Sequence, residues 1–176
     1  MLTPDQEKWI DHLSDKDKIS IFPFDPTAEE KFRIVRRKIQ DALGKDLPVE
    51  HHGATALGIS GQDEIDVYIP TSPVRFNSLI DPLKSLFGEP RSLYPLERVR
   101  FVTEEDGKHV DVFLVNQEDE GWKNAVLFEE YLKSHPEALE EYRQLKESGN
   151  DLSVREYYQR KIEFINEILS KAKITN

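Results

Sequence analysis

The sequence predicts an α/β (α+β) fold: a small mixed sheet with helices packed on it, followed by a helical C-terminal part. Three observations predict it. Apolar residues alternate over residues 64–69 and again over 108–115, the period of a half-buried strand. Phe32, Val35, Ile39 and Leu43, and later Phe76, Leu79, Ile80, Leu83 and Phe87, recur at helical spacing. Beyond Asn116 the strand period disappears and only helical periodicity remains.

The elements follow in order. Thr3-Pro4-Asp5-Gln6 starts a short helix, with a capping threonine, proline at the first position and glutamine completing the box. Residues 19–24 form a short extended piece bounded by Pro23 and Pro26. Thr27-Ala28-Glu29-Glu30 is a second capping box, and Gly44 ends the helix that it opens. Residues 49–52 form a short strand, and a loop holding Gly53, Gly58 and Gly61 leads to the strand at 64–69. Ser72-Pro73 opens another helix, stopped by Gly88. Strands over 99–103 and 108–115 are joined by Glu104-Glu105-Asp106-Gly107, and the Asp-Gly pair predicts a hairpin. Helices over 122–134, 136–147 and 153–171 complete the chain, the last opened by a third box, Ser153-Val154-Arg155-Glu156. The composition shift at 117–121 divides an α/β core, residues 1–117, from a helical subdomain, residues 118–176, within one globular unit.

Composition excludes several classes. The net charge of −10 repels nucleic acid, so no general nucleic-acid binding is expected without a local basic patch. Without cysteine there are no disulfides, thiolate nucleophiles or cysteine zinc sites. The charged N-terminus lacks the apolar core of a signal peptide, and no stretch is apolar enough to span a membrane. A soluble, cytoplasmic protein is expected. A P-loop and a Gly-x-Ser-x-Gly elbow are both missing from the chain.

The chemistry concentrates between residues 51 and 111. Glu64 and Asp66 stand at i and i+2 on one strand and so point the same way, about 7 Å apart. Burying that face without a cation is costly, because the charges repel. A divalent cation removes the conflict, and Mg2+ (or Mn2+) takes hard oxygen ligands while keeping positions for phosphate oxygens. Asp111, on a later strand whose other face is apolar, supplies a third carboxylate for a clamp of the nucleotidyl-transfer type. The small-residue turn Gly53-Ala54-Thr55 lets backbone N–H groups approach phosphates. Against this stands the commoner use of such acidic pairs, a solvated strand face. His51 and His52 are adjacent on a strand and face opposite ways, so they do not share a metal; His51 orients the loop or a phosphate. His109 shares a face with Asp111, either as an outer support of the site or as a surface histidine. Arg98 and Arg100 share one face, with Arg100 the first candidate for phosphate and an edge-strand charge the alternative. Trp122, Phe128, Tyr131, Tyr157 and Phe164 read as core between the two parts.

Residues 49–69, VEHHGATALGISGQDEIDVYI, resemble the GrpB family motif, in which Glu-His-x-Gly-Ser-Thr leads through a glycine-containing loop to an Ile-Asp strand; Glu50, His51, Gly53, Thr55, Gly58, Ile65 and Asp66 match. Phe128, Tyr131, Leu132, His135, Pro136, Tyr142, Leu145 and Lys146 match a second motif, and Tyr157, Lys161, Phe164 and Ile165 match its final helix. The resemblance covers about residues 19–169. It implies a nucleotidyltransferase-like fold and places Lys161 on a helix near the nucleotide. The chain departs from the family at four positions. Ala54 replaces a serine, Glu64 an apolar residue, Asp111 a histidine and Glu129 an arginine, and the loop before Asp66 is one residue shorter. The added acids restore the pattern of active nucleotidyltransferases. The expected partners are a nucleoside triphosphate, ATP first, and a small-molecule or protein acceptor. The rivals are a non-catalytic nucleotide- or coenzyme-binding module, since some relatives carry this domain beside a dephospho-coenzyme A kinase, and a structural adaptor.

Overall fold

The computed structural model describes residues 1–175. The helices are α1 (Pro4–Asp11), α2 (Ala28–Leu43), α3 (Gly53–Leu57), α4 (Pro73–Phe87), α5 (Glu120–Ser134), α6 (Pro136–Ser148) and α7 (Val154–Thr175). The strands are β1 (Glu50–His52), β2 (Glu64–Thr71), β3 (Ser92–Tyr94), β4 (Arg98–Glu105) and β5 (Lys108–Asn116), in the sheet order β1-β2-β5-β4-β3. Only β2 and β5 run parallel, so the sheet is mixed, as the sequence predicts.

The chain divides into two compact units. One comprises residues 24–59 and 63–123; the other comprises 1–23, 60–62 and 124–176. The sequence-based division at 117/118 is displaced in two ways. The break falls inside α5, because Trp122 still packs against the sheet rings of Tyr68 and His52. Residues 1–23 cluster with the C-terminal helices, because an extended segment pairs there: Ile19 N–H donates to Leu152 O, and Phe22 and Gly61 exchange both backbone bonds.

In the sheet unit, strand alternation sets both faces. Ile65, Val67 and Ile69 of β2, Val99 and Phe101 of β4, and Val110, Val112 and Leu114 of β5 are fully buried in one core. Phe32, Val35 and Ile39 of α2 and Phe76, Leu79 and Leu83 of α4 close that core. The remaining residues, Glu64, Asp66 and Tyr68 of β2 with His109, Asp111 and Phe113 of β5, belong by alternation to the opposite face. The hairpin between β4 and β5 turns on Asp106 (φ 48°) and Gly107 (φ 73°), the two positive φ values that an Asp-Gly hairpin turn needs. Two elements escaped the sequence. The expected loop after His52 closes into α3, and β3 is only three residues of weak pattern.

The helical unit explains the second family motif. Leu132, Tyr142, Lys146, Tyr157 and Ile168 are buried, Phe128 sits edge-on to Tyr142 at 5.3 Å, and Phe164 stacks on Tyr142 at 5.4 Å. Lys146 Nζ lies over the Tyr142 ring and 3.5 Å from the Tyr157 hydroxyl. These matching residues therefore build a core. No described helix is long and apolar enough to cross a membrane.

The second capping box is replaced by another device. Thr27 makes no side-chain cap; its N–H and hydroxyl donate to Asp25 Oδ1 at 2.8 and 2.6 Å. Asp25 Oδ2 also receives Lys108 Nζ at 3.0 Å, and Lys108, which is buried, reaches Asp63 as well. Burial works against the Lys108 charge, but the Asp63 and Asp25 carboxylates more than offset it and hold the ammonium charged. The Thr27 hydroxyl, then Lys108, hold the Asp25 carboxyl well below the usual range. An unfolded aspartate titrates near ~3.9. The folded state therefore binds fewer protons than the unfolded state around that pH. The bonds to Asp25 stabilise the fold above about pH 4, and their contribution is lost as pH falls through the depressed value. Asp25→Asn should lower Tm near neutrality and flatten its acid decline below about pH 4. Thermal melts across that range check this, and an unchanged acid slope would refute it.

Candidate functional site

The open face of the sheet carries its polar residues in rows, because register sets who stands beside whom. Asp66 pairs with Asp111 across the parallel β2–β5 ladder, and Glu64 pairs with His109. His52 stands beside Asp66 on β1. One step along, Glu50, Tyr68, Phe113 and Arg100 form the next row across four strands. Glu64, Asp66 and Asp111 thus lie on adjacent strands and share a face.

Glu64 and Asp111 converge with His109, while Asp66 lies outside that cluster. Glu64, His109 and Asp111 each offer one ligand atom, and these atoms all lie within 4.8 Å of one another. Asp66 turns toward the start of α3, where a Cβ added to Gly53 would meet its Oδ2 at 2.2 Å. Gly53 also has φ +80°, so both space and backbone call for glycine. Ala54 and Thr55 continue α3 from that point.

His51 and Thr55 brace this turn. His51 lies on the core side of β1, stacked on Phe32 with ring centroids 4.7 Å apart. Its Nδ1 is 3.0 Å from Glu29 Oε2, and its Nε2 is 2.9 Å from Thr55 Oγ1, whose hydroxyl reaches Glu64 O at 3.4 Å. The bond to His51 holds the Glu29 carboxyl below its ordinary value. The chain Glu29–His51–Thr55 ties α2 to the turn and then to the strand bearing Glu64. His51 therefore acts on the loop and does not point into the acidic face. His52 points the other way, 2.8 Å from Glu50 and edge-on to Tyr68 and Trp122.

Arg100 departs most from its expected part. It is the first sequence candidate for phosphate, yet its fork closes on Asp111: Nε to Oδ1 at 2.8 Å and Nη2 to Oδ2 at 3.2 Å. The Asp111 side chain is only 5% exposed, so this is a partly desolvated, bidentate pair. Hydrogen bonding to Asp111 raises the Arg100 pKa despite opposing burial, and Glu64 and Asp66 add to the effect. His109 Nε2 is a further 3.2 Å from Asp111 Oδ1. Lys161 belongs to the helical unit, its Nζ 5.4 Å from the centre of the Tyr158 ring.

Two carboxylate oxygens and an imidazole nitrogen form a donor set that fits a divalent first-row cation or Mg2+ with added waters. The guanidinium on Asp111 is the competing cation. His109 is exposed, and the register that pairs it with Glu64 brings its ring to the acids; sharing a face with Asp111 is the only sign of this in the sequence.

Gly53→Ala should cost about 1–3 kcal/mol, from strained φ and the clash with Asp66. Chemical denaturation measures it, and a loss within about 0.5 kcal/mol, as at an ordinary surface position, would show that the close approach is not required.

No curated protein matches the chain. Among solved structures, GrpB from Enterococcus faecalis superposes with a TM-score of 0.68 at 18% identity, covering 86% of this chain and 96% of that one. A Leishmania infantum polymerase beta in a ternary primer–template complex overlaps less, with a TM-score of 0.37 at 16% identity over 76% of this chain and 60% of that one. The first likeness supports the mixed-sheet fold. The GrpB protein family matches residues 18–171, nearly the whole chain, so the chain belongs to the GrpB family.

Proposed function

We propose that the chain is a metal-dependent nucleotidyltransferase. It would take a nucleoside triphosphate, ATP first, and pass the nucleotide to a hydroxyl on a small-molecule or protein acceptor. The observation that carries this reading is the in-register pairing of Asp66 with Asp111, beside Glu64 and His109. Three carboxylates on adjacent strands are an unfavourable arrangement by themselves. They suit chemistry in which a cation is bound together with phosphate.

Glu64, Asp66 and Asp111 would hold Mg2+ or Mn2+, with His109, whose ring nitrogen already lies within 4.8 Å of Glu64 and Asp111 oxygens, as a fourth donor. The bound cation supplies charge neutralisation on phosphate oxygens. Gly53 leaves room for Asp66 to reach the turn, and the backbone of Gly53, Ala54 and Thr55 would face the phosphates. The acceptor oxygen attacks the α-phosphorus, the bond to the β-phosphate breaks, pyrophosphate leaves, and Asp111 takes the acceptor proton. The nucleotide is retained on the acceptor, so atoms and charge balance.

The bidentate Arg100–Asp111 pair favours a second reading. A module that binds a nucleotide or coenzyme without turning it over needs no metal, and a resident guanidinium neutralises its acids permanently. The two readings differ over Arg100. If a cation must enter at Asp111, Arg100 competes with it, and Arg100→Gln should tighten Mn2+ binding, by about tenfold for one charge-assisted bond. Titration of Mn2+ followed by electron paramagnetic resonance reads this directly. Mn2+ binding that is unchanged or absent in both proteins, with and without ATP, favours the module.

Turnover is tested by incubating the full chain with each nucleoside triphosphate, Mn2+ and an acceptor panel, reading pyrophosphate release and mass shift. Asp66→Asn and Asp111→Asn keep shape and remove charge. Each should cut turnover by about 100-fold or more while weakening nucleotide binding far less. Tight nucleotide binding with no pyrophosphate from any combination would replace the enzyme with the binding module.

A further inference from the structure

The two arginines of β4 differ in one respect that bears on ligand choice. Arg98 and Arg100 stand at i and i+2 and share the acidic face. Arg100 has both arms of its fork on Asp111. Arg98 has no carboxylate partner among the described residues; its contacts are rings. Its guanidinium carbon lies 5.4 Å from the centre of the Tyr94 ring and 5.8 Å from that of Phe113. Nor is it an edge charge, because β4 lies between β5 and β3.

The rings fix where this cation sits. Phe113 is stacked on Tyr68 at 4.6 Å, and Tyr68 on Trp122 at 5.1 Å, so Arg98 ends a ladder of π faces running across the sheet from the start of α5. The ladder holds the guanidinium beside Phe113, two residues along β5 from Asp111, or about 7 Å. Arg98 and Tyr94 are both exposed. A guanidinium stacked on rings keeps its N–H edges for a ligand, and its planar fork matches the oxygens of a phosphate. Held in place by the rings, it also loses little freedom on binding.

We propose that Arg98 is a phosphate-binding residue of this face, receiving a phosphoryl group one row beyond the acids. The site itself does not depend on turnover; only the source of the phosphate, the nucleoside triphosphate or a phosphorylated acceptor, rests on the nucleotidyl-transfer reading.

The test uses the full chain and inorganic probes. Tripolyphosphate and orthophosphate are titrated by calorimetry without metal into wild type, Arg98→Gln and Arg98→Lys, and Mn2+ is titrated separately. Arg98 is exposed and bonded only through ring contacts, so its variants should fold, which their melting temperatures check. Arg98→Gln should weaken tripolyphosphate by about tenfold or more, with Arg98→Lys recovering part through its charge without the fork. A parallel loss of ATP affinity in Mn2+ assigns the phosphate to the nucleotide; lost orthophosphate binding with ATP affinity unchanged assigns it to the acceptor. Either result supports Arg98. Tripolyphosphate binding that is absent in wild type, or equal in wild type and Arg98→Gln, overturns the proposal. Wild type that binds tripolyphosphate through Arg98 but takes no Mn2+, alone or with ATP, leaves this site standing and removes the metal-dependent reaction.

Discussion

Asp66 and Asp111 stand side by side because β2 and β5 run parallel and in register. Most of what is distinctive on the open face follows from that pairing. Two carboxylates directly opposite one another repel, and Glu64 one step away adds a third charge. The fold answers with cations and with space. Arg100 spans from β4 to fork Asp111, His109 approaches the same oxygen, and Asp66 turns aside toward the one residue whose lack of a Cβ admits it. Glycine at 53 serves both the close approach of Asp66 and its own turn at φ +80°.

The register is itself held from the core side and from the strand ends. On the core side, a one-residue slip of β2 against β5 would carry Ile65, Val67 and Ile69 out of the core and the acids into it. At the strand starts, buried Lys108 joins Asp63, just before β2, to Asp25, just before α2. Asp63 holds φ 65° there, a conformation that aspartate tolerates better than most residues. The Glu29–His51–Thr55 chain does the same from β1. The acidic face is therefore set by bonds made almost wholly outside it.

The period of the apolar residues carried most of the fold. Alternation told that Glu64, Asp66 and Tyr68 share a face, and that His51 and His52 do not; the ring of Phe32 on one side and that of Tyr68 on the other show why. Strand order is another matter. Nothing local in residues 64–69 or 108–115 states that these two stretches pair parallel, so the adjacency of Asp66 and Asp111 was an expectation, and His109 beside Glu64 was not foreseen. The bond from Arg100 to Asp111 is hidden for the same reason. An arginine's local sequence shows its charge and face but not which carboxylate lies diagonally across the ladder. The short α3 and three-residue β3 have too few residues to impose a period. The second motif, Tyr142, Lys146 and Tyr157 among it, is buried in a helical core, as the helical spacing of its aromatic residues predicts.

The Arg100–Asp111 pair also constrains how a ligand could enter, on the proposed reading. A lone divalent cation arriving at Asp111 would have to displace the guanidinium from a buried carboxylate and give up two charge-assisted bonds. A cation arriving with a polyphosphate meets a different balance. The phosphate oxygens can take the fork that Asp111 gives up, so the count of charge-assisted bonds is conserved while the carboxylates gain the metal. Metal and nucleotide would then each favour the other's binding, a reciprocal coupling between two ligands through one side chain. Arg98, held on its rings one row away, is not part of that exchange and stays available throughout. On that reading the face would divide two tasks between two arginines on one strand: Arg100 would hold the acids until a ligand replaced it, and Arg98 would receive phosphate.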